Sequence, residues 1–430
     1  MKTYINPTKI TWNELMSRPA VEAADLSVLI KQVFKEVKLN GDKAIKSYTK
    51  QFDKVNLISL KVSVAEFDAA EKQVSNELKE AIKLASSNIE KFHSMQKQET
   101  QVVETTTGVF CWQESRPIER VGLYIPGGTA PLFSTVLMLA IPAKIAGCKK
   151  VVLCTPPNKE GKIADEILYV AQLVGVKDVY KIGGIQAIAA LTYGTESISK
   201  VYKIFGPGNQ YVTAAKQEAF QQGVAIDMPA GPSELLVVAD ESSNAAFVAS
   251  DLLSQAEHGT DSQVICIANS EELIKAIEKE VEVQLEQLPR KEIARKALTN
   301  SKLLVLENVN DTIDFVNEYA PEHLILAVKN EDEYIQNIIN SGSVFIGNYT
   351  PESAGDYASG TNHTLPTNGF SKSFSGVNLD AFVKKITFQK ITKEGILNIG
   401  KSIELMAEAE LLQAHKNAVT VRVKSLKVES

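Results

Sequence analysis

Apolar residues recur three and four apart in the first hundred residues. Leu26, Leu29, Ile30, Val33, Phe34 and Val37 set the pattern, and residues 21–100 are expected to be mostly helical. Phe67 to Phe92, rich in Ala, Glu and Lys, is expected to form one long surface helix. The period changes at Arg120. Val121–Ile125, Lys150–Cys154, Val179–Ile182 and Lys200–Phe205 are short β-prone runs, and glycine or a polar turn and then a helical stretch follow each. The alternation resumes with strands at Leu235–Ala239, Val264–Ala268 and Leu303–Leu306. Between and after them lie helices near Ala245–His258, Glu271–Gln287 and Asp311–Tyr319. Such β-α alternation predicts parallel sheets covered by helices, here in two α/β units.

Residues 349–378 are rich in Gly, Ser, Thr and Asn and read as a loop, and loops of that length in a folded domain usually carry function. The chain then continues into a helix near Glu394–His415 and a β-branched run, Val419–Val423, expected to be extended. This tail follows a long connection, so a partner subunit is one place for it to pack.

With 430 residues, 44% of them apolar, the chain is long enough for two or three units that need no disulfide support. Its four cysteines form no CxxC pair, which points to a reducing compartment. Net charge is −6, and only Arg422, Lys424 and Lys427 make the end of the chain basic, so nucleic acid is not an expected partner. The first residues lack a signal-like apolar stretch, and runs such as Val136–Ala143 fall far short of the roughly 20 residues that a membrane helix needs. A cytoplasmic protein with no membrane partner is expected.

Candidate chemistry starts with the histidines. Of five, His258, His323 and His363 sit in polar contexts near Gly or Pro, each beside Glu or Asn, whereas His93 reads as an ordinary surface residue. Gln255 and His258 stand three apart at a helix end, with Gly259 as its expected C-cap. They share a face that suits either a metal or no ligand at all. Asp356 is flanked by small residues and suits a hard-oxygen ligand or a turn cap, and His363 can be a ligand, a donor or a base. Glu322 and His323 adjoin between a helix and a β-prone run, and an imidazole is the natural general base near neutral pH. Glu410 and His415 are five apart, a rotation of about 140° on a helix, so they face one small ligand only if the helix ends between them or the ligand spans the gap. The turns Tyr124–Gly128, Gly183–Gln186 and Phe205–Asn209 each follow a strand and open a helix, whose N-terminus favours phosphate, although none is a GxGxxG fingerprint.

Taken in order, these segments resemble histidinol dehydrogenases. VGLYIPGGTAP (121–131), GGIQAIAAL (183–191), Phe205–Asn209 and IDMPAGPSEL (226–235) carry the first half of the resemblance. DLLSQAEHG (251–259), Ala320–Leu324, GDYASGTNHTLP (355–366) and Ala407–Val419 carry the rest. The resemblance implies an α/β fold of two Rossmann-like parallel-sheet units, similar to aldehyde dehydrogenases, with a helical N-terminal segment and an extended C-terminal tail. It implies one Zn2+ per subunit on Gln255, His258, Asp356 and His415, all four also touching substrate. It puts NAD against Tyr124, Gln186 and Asn209, further substrate contacts at Ser233, His323, His363 and Glu410, and proton transfer on Glu322 and His323.

The implied reaction is the four-electron oxidation of L-histidinol through L-histidinaldehyde to L-histidine with two NAD. The implied assembly is a homodimer whose tails complete each other's sites. The organisation expected is a 1–20 extension, a first α/β domain of 21–120 with 230–375 carrying much of the metal and base site, an NAD-binding domain of 121–229, and a 376–430 tail on the partner subunit. A paralogue oxidising another small alcohol stays open as an alternative. A zinc hydrolase with Glu322 as base is another, though the chain has no HExxH.

Overall fold

Apolar runs bounded by glycine and polar turns become the buried strands of two parallel sheets. The computed structural model describes residues 1–19, 26–127, 131–229 and 231–428. Residues 21–25 of the expected helical segment, Gly128–Ala130 of the first motif and Ala230 of the fourth lie outside the described residues. The chain divides into two units: Met1–Gln96 with Ile118–Phe382, and Lys97–Pro117 with Val383–Ser430.

The first unit holds both sheets. One has five strands in the order Asp178–Lys181, Lys150–Thr155, Arg120–Tyr124, Lys203–Phe205, Ala225–Ile226. The other has six, in the order Lys2–Ile5, Lys302–Val305, Gln263–Ala268, Glu234–Ala239, His323–Ala327, Ser343–Ile346. Every pairing in both is parallel. ELLVVA, QVICIA and HLILA are buried at every position, because helices on both faces leave no residue for water. His323 stands beside Leu235 in register, so the first residues of two central strands, Glu234 and His323, meet at one sheet edge.

The expected boundaries shift for reasons of packing. Within the expected 1–20 extension, Lys2–Ile5 pairs with Lys302–Val305 as an edge strand. The helix Ser27–Tyr48 packs on Gly184–Tyr193 and shares a core with Tyr124, Cys154 and Leu191, so it covers the five-stranded sheet rather than the six-stranded one. Residues 376–382 stay with the first unit, where Phe382 stacks on Phe205 at 4.0 Å. The expected helix from Phe67 to Phe92 is two, Val64–Gln73 and Asn76–Ser94. Ser63 and Glu66 form a capping box for the first, and Ser75 caps the second. The expected loop 349–378 contains the short helix Glu352–Tyr357. Gly259 is absent from the left-handed positions, so the helix Ala245–Ala256 stops without it.

In the second unit, Val102–Thr106, Val109–Pro117 and Val383–Ile391 form an antiparallel sheet. Helices Lys393–Ala409 and Gln413–Val428 follow. Val419–Val423 is therefore helical, not extended. Val419 and Val423, one turn apart, both reach the Cα side of Gly400 on the preceding helix, and that contact overrides β propensity. Among the described residues, no helix is long and apolar enough to cross a membrane.

Candidate active site

Ala320 terminates the helix Val309–Tyr319 in a left-handed conformation, φ 53°, a strained position for a residue with a side chain. The turn it makes swings Glu322 and His323 inward. A Cβ at Gly342 would come within 2.5 Å of the Glu322 carbonyl, so only glycine lets the neighbouring strand lie this close. Both side chains of the pair are buried, His323 being only 4% exposed.

Glu234 organises the pair through its backbone. Its N–H donates to Glu322 Oε2 at 2.9 Å, and its carbonyl lies 3.2 Å from His323 Nδ1. A carbonyl only accepts, so Nδ1 carries the proton and Nε2 presents its lone pair. That Nε2 is buried without a hydrogen-bond partner, and its closest acid is Asp356 Oδ1 at 3.8 Å. Burial lowers the His323 pKa to about 4, despite the opposing charge of Asp356, and the ring is neutral at pH 7. Burial also pushes the Glu322 carboxyl well above its ordinary range.

Beside them, ligand atoms of His258, Glu352 and Asp356 all lie within 4.8 Å of one another, close enough to hold one metal ion. Glu352 and Asp356 share the helix Glu352–Tyr357, four residues apart. Glu352 is buried (1% exposed), and desolvation, with Asp356 and Glu322 adding their charge, raises its pKa well above normal. His258 is at the surface end of the cluster, and desolvation lowers its pKa against the pull of Asp356. The Gln255 amide, oriented to satisfy its neighbours, donates to the Glu352 carboxylate and accepts from Glu234 N–H at 3.0 Å. His363 lies against the same helix: its Nδ1 faces the Asp356 carbonyl at 3.0 Å and its Nε2 faces Thr135 Oγ1 at 3.1 Å. Ser233 is half-buried just before Glu234.

His93, expected at the surface, is fully buried. Its Nδ1 faces the Ile89 carbonyl at 3.0 Å, and Asn362, which donates to the Met138 carbonyl at 2.6 Å, lies 3.5 Å from its Nε2. It thus buttresses the segment that carries His363. Glu410 and His415 belong to the second unit, both exposed, and the helix breaks between them at Leu411, φ 63°. That break removes the 140° restriction of a continuous helix.

The five-stranded sheet offers a second locus at the carboxyl ends of its strands, where its order reverses between Arg120–Tyr124 and Lys203–Phe205. Tyr124 is buried, with its hydroxyl accepting from Gly184 N–H at 3.1 Å. Gln186 is buried with its Oε1 unpartnered. Asn209 is exposed and caps the helix Gln210–Gln221. A buried Lys216–Asp227 ion pair pins the turn, Lys216 Nζ donating to the Gly206 carbonyl and Asp227 accepting from Gly206 N–H. Burial pushes the Cys148 thiol up to about 11 and those of Cys154 and Cys266 further up, away from the reactive thiolate.

Sequence reasoning missed Glu352, Glu234, Arg18 and the Lys216–Asp227 pair. An ExxxD spacing after Pro351 was the available signal for Glu352. Arg18 and Glu234 are paired across the fold and left none, and nothing in the local sequence marked Lys216 and Asp227 as a pair.

Parallel sheets, a buried acid–imidazole pair and a cluster of nitrogen and oxygen donors define an α/β enzyme with a metal-competent site. More narrowly, the chain belongs to the histidinol dehydrogenase family, whose model matches residues 16–423, and it is an oxidoreductase. It is 58% identical over 427 residues to the histidinol dehydrogenase of Bacteroides thetaiotaomicron, covering 99% of this chain and 100% of that one. It is 52% identical over 434 residues to that of Escherichia coli, covering 98% and 99%. A crystal structure of histidinol dehydrogenase from Elizabethkingia anophelis superimposes with a TM-score of 0.98 at 60% identity, covering 99% of each chain.

Proposed function

We propose that this enzyme oxidises L-histidinol, through L-histidinaldehyde, to L-histidine in the last steps of histidine biosynthesis, with NAD as oxidant and a zinc ion in the substrate site. End-to-end family membership supports the substrate. The observation that carries the chemistry is the buried, unpartnered Nε2 of His323, held as a free lone pair beside a second titratable group.

The donor set fits zinc, because one imidazole with oxygen donors within 4.8 Å suits a borderline ion. His258 and Asp356 would hold it, with Glu352 beside them, His415 completing the set, and Gln255 joining once its amide turns the oxygen from the Glu234 N–H toward Glu352. Bound there, zinc supplies a positive centre that orients the imidazole and amine of the substrate. The reversal point of the five-stranded sheet fits NAD: the helices Gly184–Tyr193 and Gln210–Gln221 open there, and Gln186 Oε1 lacks a partner. Tyr124, Gln186 and Asn209 would contact the cofactor, which supplies the two-electron acceptor for each oxidation.

The chain's own residues then divide the work. His323 Nε2 takes the hydroxyl proton of the substrate. In the aldehyde step Glu322 takes a proton from the attacking water. Ser233 and His363 hold the substrate. Glu410 and His415 act in the site of the other subunit of a homodimer, in the cytoplasm. The test is direct: purified protein with zinc, NAD and L-histidinol is expected to form two NADH per histidine. Turnover of another alcohol with none of histidinol overturns the reading.

A further inference from the structure

Arg18 reaches the catalytic pair through one intermediary. Its guanidinium grips the Glu234 carboxylate with two hydrogen bonds, Nε to Oε1 at 2.5 Å and Nη2 to Oε2 at 3.0 Å. The same Nη2 donates to the Tyr319 carbonyl at 2.7 Å, and the guanidinium lies 4.2 Å from the centre of the Tyr319 ring. Glu234 is 2% exposed, and its carboxylate also accepts from the N–H of Asn368, at 2.8 Å, and from that of Glu322. A buried carboxylate without its cation would have to be neutralised or move. The strand residue that would move is the one whose carbonyl meets His323 Nδ1 and whose N–H meets Glu322. Arg18 is itself anchored, because the preceding Ser17 carbonyl accepts from Gln263 Nε2 at 3.0 Å.

We propose that Arg18 is a positioning residue. By clamping the Glu234 carboxylate it fixes the Glu234 backbone, which holds His323 as the Nδ1–H tautomer and aims Glu322. This rests on the reading of Glu322 and His323 as the proton-transfer pair. Arg18 acts on the imidazole through Glu234. An imidazole base left in the wrong tautomer has cost up to about 10⁴-fold in rate where its orienting group was removed. Arg18 is one residue further from the base, and a loss of about 10–100-fold is expected.

The experiment uses the full-length, zinc-loaded protein with 15N-labelled histidine, comparing wild type, Arg18→Leu and Arg18→Lys, with His323→Gln to assign the resonance. Wild-type His323 is expected as Nδ1–H. Arg18→Leu is expected to show a mixture of tautomers and a kcat about 10–100-fold lower with KM changed less than about threefold. Arg18→Lys keeps the charge but not the fork, and is expected to recover part of both. An unchanged tautomer in Arg18→Leu overturns the proposal, whatever the rate does. If Arg18→Leu does not fold, Arg18→Lys is judged by the same tautomer and rate criteria. Wild-type protein that fails to oxidise histidinol would sink the functional reading instead, while the tautomer still decides the role of Arg18.

Discussion

Glu352 and Asp356 stand one helical turn apart, so two carboxylates reach His258 from a single rigid element. Glu352 also takes the Gln255 amide. It is therefore either a metal ligand or the group that orients one, and removing it lowers metal affinity in both cases. Glu352→Ala is expected to weaken zinc binding about 10–100-fold, the range seen for orienting partners of ligands, and Asp356→Ala more. Competition with a chromophoric chelator measures both. Wild-type affinity in Glu352→Ala would remove this residue from the metal centre.

His323 and the metal cluster touch but have separate duties. His323→Ala is expected to lower kcat by about 10²–10⁴-fold and leave zinc content intact. Metal analysis after dialysis, run beside the NADH assay, separates the two. Loss of zinc in His323→Ala would show the imidazole to be a ligand.

Much of this was written plainly in the chain. Runs such as LLVVA read as strands, and glycine turns marked where helices open, whereas His323 read as part of a connection although it opens the strand His323–Ala327. Glu352 was hidden because its Gly- and Ser-rich surroundings read as loop, although the segment is helical. The run Val-Thr-Val-Arg-Val at 419–423 followed its β propensity until Gly400 offered a helical partner. Arg18 and Glu234 are 216 positions apart, and no local pattern ties one to the other. His93 looked superficial because it lies in a polar helical stretch with Lys91 and Ser94 close by, and only the fold brings Asn362 to its ring.

Burial lowers the His93 pKa below its ordinary 6.5, so the folded state keeps it neutral. As pH falls through 6.5, the unfolded chain takes up a proton that the folded one refuses. The stability tied to neutral His93 is thus complete above pH 6.5 and lost progressively below it. Relative to His93→Gln, the wild-type urea midpoint is expected to decline between pH 7.5 and 5. A constant difference across that range would contradict a neutral buried ring.

Lys216 and Asp227 are both nearly inaccessible to water and hold Gly206 between them. Lys216→Met strands a buried carboxylate and is expected to destabilise by about 3–5 kcal/mol, whereas Lys216→Met with Asp227→Leu is expected to recover much of that. Urea unfolding of the cycle gives the coupling. NADH binding, followed by fluorescence, is expected to weaken in the single variant because the Gly206 turn loses its pins. Additive losses would mean that the two charges do not act as a pair.

The break at Leu411 gives Glu410 and His415 freedom to face one ligand, and both are exposed on their own unit. If they complete the site of a second subunit, two inactive variants can repair each other. His415→Ala and Gln255→Ala homodimers are each expected to be nearly inactive and poor in zinc. A mixed dimer places both lesions in one site and leaves the other whole. Refolding the variants together in equal amounts is expected to return roughly a quarter of wild-type activity, since half the dimers are mixed and each has one intact site. Differently tagged chains purified as heterodimers sharpen the measurement to about half. No recovery in such heterodimers would mean that each subunit builds its site alone.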